Sequence, residues 1–234
     1  MKTIFLITVI AFSGILSVSA QERAGDDLRS GLGLYSGDVM NFYNEVARNK
    51  AMESFDLSLV DGSPYLNNEF VTGDIVTKDS VQYAGLKLRY NIYNDAIEFE
   101  KGDLAIELNP NFPLLYAVIG DDIFVKAEDK DGFFRVVSTG KVYLVEKMKI
   151  KYNDAKPASG YQAAKRPSFR SLNSDYYIQS VPGGEATELS NKNDVMSIFS
   201  DSKSEVAGFI KSEKIKIDKA EDLKKLVAYY NSLQ

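Results

Sequence analysis

From Phe70 to Lys151 the chain has the pattern of short strands, a succession of brief apolar-rich segments separated by turn signals, several of them with apolar and polar residues alternating. Leu86, Leu88 and Tyr90 alternate with Lys87, Arg89 and Asn91, and Leu104, Ile106 and Leu108 repeat the pattern. Successive side chains of a strand point to opposite faces, so such segments have one buried face and one wet face. Asp131-Gly132 and Thr139-Gly140 supply hairpin turns, Lys101-Gly102-Asp103 another, and Gly73 a bulge. No helical stretch long enough for a parallel crossover intervenes, which leaves antiparallel pairing. The spacing predicts an α+β, mainly β fold. In it an antiparallel sheet over 62–190 curls into a roll or open barrel and is followed by a C-terminal bundle of short helices.

That bundle occupies 191–234. Asn191 can cap a helix carrying Val195, Ile198 and Phe199, and Ser200 or Asp201 one carrying Val206, Phe209 and Ile210. Asp218 with Glu221 has the spacing of a capping box ahead of Leu223, Leu226, Val227 and Tyr230. Each helix has a single apolar stripe, so the three must pack on the sheet or on one another. Residues 21–61 read as a flexible, Gly-rich leader to Gly37 and then a short amphipathic helix. That helix runs from Asp38 to about Met52, on the spacing of Val39, Phe42, Tyr43, Val46 and Ala47.

The 234 residues include no His, no Cys and no Trp, which removes His-based triads, thiol nucleophiles, disulfides and the usual zinc ligand sets. Met1–Ala20 opens with Lys2, continues through an apolar run and ends on Val18-Ser19-Ala20. This is the pattern of a secretory signal peptide, too short to span a bilayer. The expected chain is exported, periplasmic or extracellular, with no transmembrane span once the segment is removed. A net charge of −5 argues against nucleic acid or an anionic membrane face as the main partner.

No catalytic signature or cofactor motif stands out, so the expectation is no cofactor and no metal. Glu98 and Glu100 lie two apart on a strand, at a separation used in glycoside hydrolysis, yet a solvated strand face explains them more simply. Asp121-Asp122 fits a plain turn. Glu128, Asp129 and Asp131 with Gly132 resemble a calcium loop only loosely, because Phe133, Phe134 and Val136 follow where ligands are needed. The basic stretch within Asn153–Leu172 reads as a long surface loop or an ordered flap. There Lys165, Arg166 and Arg170 are interleaved with Tyr161 and Phe169, a combination able to grip a carboxylate, phosphate or sugar acid. The plainer alternative is that the charges keep the loop soluble while Tyr161 and Phe169 pin it to the sheet.

Three segments, Gly62-Ser63-Pro64-Tyr65-Leu66-Asn67, Leu88 to Asp95 with Ile97-Glu98-Phe99, and Asp222-Leu223 to Tyr229-Tyr230-Asn231, together resemble a group of small exported β-rich proteins. These proteins are of unknown function and common in Bacteroidota-type bacteria. The resemblance implies a periplasmic or surface-exposed protein and supplies no activity. The leading expectation is an exported, non-catalytic binding or interaction module of the cell envelope, whose partner is an envelope protein or a small ligand. A periplasmic carrier of an apolar ligand comes second, and a carboxylate-based hydrolase third.

Overall fold

The computed structural model describes residues 34–39, 42–43, 47–51 and 57–233, with backbone only for 47–51. The expected signal segment and most of the leader lie outside the described residues. Eleven strands pair antiparallel in one sheet. From β3 onward the chain meanders through β3 (Val71–Thr77), β4 (Val81–Asn91), β5 (Ala96–Lys101) and β6 (Leu104–Leu108). It continues in β7 (Leu114–Ile119), β8 (Asp122–Val125), β9 (Phe134–Ser138) and β10 (Tyr143–Lys147). After a separate hairpin, β11 (Ile150–Asn153) and β12 (Ser168–Ser171), it rejoins the sheet as β13 (Asp175–Gln179) and β14 (Thr187–Glu188). β3 lies between β4 and β7, and its pairing with β4 is shifted between Gly73 and Ile75, where the sequence suggests a bulge.

Two N-terminal pieces depart from expectation. Within the segment read as flexible leader, β1 (Tyr35–Ser36) pairs parallel with Val81–Gln82, so the sheet is not wholly antiparallel. Val39, Phe42 and Tyr43 are helical as expected, but 47–51 of the predicted helix form β2 (Ala47–Ala51), which pairs with β6, and residues 44–46 and 52 lie outside the described residues. The reason is tertiary: the otherwise open edge of β6 offers main-chain partners, and edge pairing overrides a short amphipathic pattern.

The C-terminal helices are α1 (Lys192–Ile198), α2 (Lys203–Ser212) and α3 (Ala220–Ser232). Asn191 caps α1 by accepting from the Asn193 and Asp194 N–H groups, and Asp194 completes a capping box. Asp218 and Glu221 do not form the second box. α3 starts at Ala220 with no side-chain cap, and Asp222 instead accepts the Lys216 N–H at 3.0 Å. Val206, Leu223, Leu226 and Val227 are buried in one cluster with Val142, Leu144 and Ile178, which seats the helices on the β10 and β13 end of the sheet. Among the described residues no helix is long and apolar enough to cross a membrane.

At the opposite end Leu86, Leu88, Tyr90, Ile97 and Phe99 join Phe42, Phe124 and Phe133 in another cluster. A third holds Val76, Tyr116, Val125, Phe134 and Val145. Adjacent residues such as Ile75 and Val76, or Phe124 and Val125, go to different clusters. Both faces of the central strands are therefore buried, not one face as alternation alone implies.

Candidate functional site

The stretch read as a long surface loop or an ordered flap is an ordered β-hairpin. Ile150 pairs with Ser171, Lys151 with Arg170, Tyr152 with Phe169 and Asn153 with Ser168. Isolated bridges at Lys156–Lys165 and Ser159–Gln162 keep the same register out to a two-residue turn, Gly160-Tyr161. Gly160 has φ +56°, which suits glycine at the first central position of a tight hairpin turn. Residues 154–166 are all exposed, and strand geometry gives the arm a reach of roughly 25 Å from Asn153 to the turn.

Aromatic packing and backbone contacts fix its base. Phe169 is buried, with ring centroids 5.1 Å from Tyr152 and 5.3 Å from Tyr93. The Asp61 N–H donates to Pro167 O at 2.9 Å, and the Phe169 N–H donates to Asp61 O at 2.8 Å. A Cβ at Gly62, where φ is +80°, would lie 2.5 Å from Phe169 O, so this approach requires glycine.

The five predicted residues are strung along the arm and not gathered in a pocket. Tyr161 is fully exposed at the turn, Lys165 stands opposite Lys156, and Arg170 stands opposite Lys151. Arg166 is committed to the base: it pairs with Asp61 at 3.2 Å and donates to the Ser58 carbonyl. Phe169 is an anchor, which bears out the pinning alternative for that residue. Tyr161 pins nothing. Sequence reasoning missed the partnership of Lys151 and Lys156 with Arg170 and Lys165. In the sequence the one available signal was Gly160-Tyr161 as a tight turn.

The arm is an electrostatic outlier. It carries Lys151, Lys156, Lys165, Arg166 and Arg170 against the single acid Asp154, a charge of +4, so the remaining chain carries −9 of the total −5. Like charges directly opposite on paired strands cost stability. Two such pairs occur here, and among the described residues none of Lys151, Lys156, Lys165 and Arg170 forms an ion pair.

Three of the acidic candidates, Glu98, Asp122 and Asp129, are internally engaged. Glu98 is fully buried while Glu100 is exposed, so the expected solvated face does not exist at Glu98. Its Oε2 accepts from Arg89 Nε at 2.7 Å and its Oε1 from Asn91 Nδ2 at 2.8 Å. Arg89 in turn lies 3.7 Å over the Tyr65 ring and 4.3 Å over Phe70, and donates to Tyr65 Oη at 2.9 Å and Asn68 O at 3.1 Å. Asp122 pairs with Arg135 at 3.2 Å. Asp129 bonds Lys130 and the Ala186 N–H, which hold its carboxyl below the ordinary carboxylate value. Among the described residues no group of three or more acidic side chains is arranged to hold a metal ion. No protein family, curated protein or solved structure matches this chain.

Proposed function

We propose that the chain is an exported, non-catalytic binding protein of the cell envelope, in which the sheet and helices form a scaffold and the Ile150–Ser171 hairpin makes the contact. The observation that carries this reading is the segregation of +4 onto one exposed arm of an otherwise acidic molecule. Export rests on the signal-peptide pattern of Met1–Ala20, and the resemblance to small exported β-rich proteins belongs to the same reading. The sheet curls into an open roll. Register shifts within β3–β4, β3–β7 and β9–β10 support this, because bulges bend and twist a sheet.

The test is retention on envelope fractions from the host. Replacing Lys156, Lys165 and Arg170 with Gln is expected to abolish retention while the melting temperature holds. The same charge change at the exposed Lys203, Lys211 and Lys214 should leave retention intact. Retention of the arm variant at the level of the unaltered protein would overturn the assignment.

A further inference from the structure

We infer that the arm's partner is an anionic lipid surface, entered by the Gly160-Tyr161 turn. This inference rests on the arm being the contact element. The eight residues Pro157–Ala164 carry no charge, are all exposed, and present one aromatic, Tyr161, at the turn itself. Immediately behind them stands the Lys156–Lys165 pair, and behind that Lys151–Arg170. A neutral tip with an interfacial aromatic, backed by cations on both strands, matches the layering of a bilayer surface. Tyr sits at headgroup level, and Lys and Arg sit among the phosphates.

Two further features favour a lipid sheet over an acidic protein that would add a strand. Pro157 and Pro167 remove an N–H from each strand, with Lys156 beside the first and Arg166 beside the second, and the edge at Pro167–Phe169 is already taken by Asp61, which leaves the arm little open edge for a further strand. The cations also stand in opposed pairs across the two strands, so the arm is positive along both strands, as a continuous charged plane demands and one discrete acidic patch does not. The −9 of the remaining chain turns the body away from such a plane, so approach is arm first. The net charge of −5, which by itself speaks against an anionic membrane, hides this separation.

The chain has no Trp, so Tyr161→Trp places a single emitter at the turn. Vesicles of phosphatidylglycerol with phosphatidylethanolamine are expected to shift its emission to the blue and to sediment the unaltered protein. Vesicles of phosphatidylcholine alone should do neither. A Tyr35→Trp emitter, exposed on β1, should not shift with either lipid. The Lys156, Lys165 and Arg170 to Gln variant should partition on the order of a hundredfold more weakly, and added salt should weaken binding of the unaltered protein. Unchanged emission of the Tyr161→Trp protein with anionic vesicles overturns the lipid assignment. If host envelopes still retain the protein through the arm, the partner is an envelope protein or polysaccharide and the arm reading survives. If the envelopes do not retain it either, both readings fall.

Discussion

Arg89 Nε meets Glu98 Oε2 at 2.7 Å across the β4–β5 ladder, and the carboxylate it meets is fully buried. A charge in that position is tolerated because both its oxygens are bonded and its partner is stacked on Tyr65. Arg89→Leu is expected to cost about 3–5 kcal/mol, since it leaves the carboxylate uncompensated. The Arg89→Leu/Glu98→Leu double variant should recover part of that loss. Chemical denaturation of the three proteins checks both expectations, and additive losses would contradict the pairing.

Asp95 ties the β4–β5 turn to two distant segments. Its Oδ1 accepts from Tyr90 Oη at 2.7 Å and from the Phe133 N–H at 3.0 Å, and its Oδ2 accepts from Lys147 Nζ. Gly132, at φ +85°, lies so close that an added Cβ would fall 1.6 Å from Asp95 Oδ2. Gly132→Ala is expected to destabilise the protein by roughly 1–3 kcal/mol or more through the strained backbone and the displaced carboxylate. The denaturation midpoint reads this, and a midpoint equal to that of the parent would show that the contact is loose.

Burial, reinforced by Glu146, raises the Tyr176 phenol from its ordinary 10.0 to about 12. Burial and then Asp95 raise Tyr90 as well. Each phenol keeps its proton to higher pH in the folded chain than in the unfolded one. Their contribution is therefore complete below the unfolded value and lost as pH rises through the folded value. Stability is expected to decline between about pH 10 and 12, with tyrosinate absorbance rising late and together with loss of structure. Tyr176→Phe should flatten that decline. At the acid end, the Lys141 hydrogen bond holds Asp201 below its ordinary value, so that contribution is present above 3.8 and fades as pH falls below it.

Leu226 of α3 is fully buried in the cluster that contains Leu144 and Ile178 of the sheet. Leu226→Ala is expected to cost about 2–5 kcal/mol. The loss should shift one cooperative transition seen alike by far-ultraviolet circular dichroism and tyrosine fluorescence. A separate early melting of helical signal would show that the helices unfold on their own.

The strands from β3 to β10 were legible because each is a short apolar-rich segment, with clear alternation in β4 and β6, and carries its own turn residues. The α1 cap was legible for a similar reason, since Asn191 and Asp194 act within one turn. What escaped depends on partners distant in the chain. Ala47–Ala51 becomes a strand because of β6 and not because of its composition. Glu98 looks like a surface carboxylate until Tyr65, Arg89 and Asn91 close over it. Tyr230 and Asn231 likewise act on partners distant in the chain, bonding Lys141 and Val142 respectively. The arm was hidden because Ala, Ser, Pro and Gly dominate its outer half, and only the pairing of its two sides turns them into a hairpin.

That pairing keeps one register from Ile150–Ser171 to Ser159–Gln162. A residue inserted on one side alone would slip every pair beyond it and turn the lysines to the other face. The arm can therefore grow or shrink only by matched steps on both strands, about 3.4 Å for each added pair. Engineered versions can thus set how far the Gly160-Tyr161 turn stands from the acidic body, with the scaffold left unaltered.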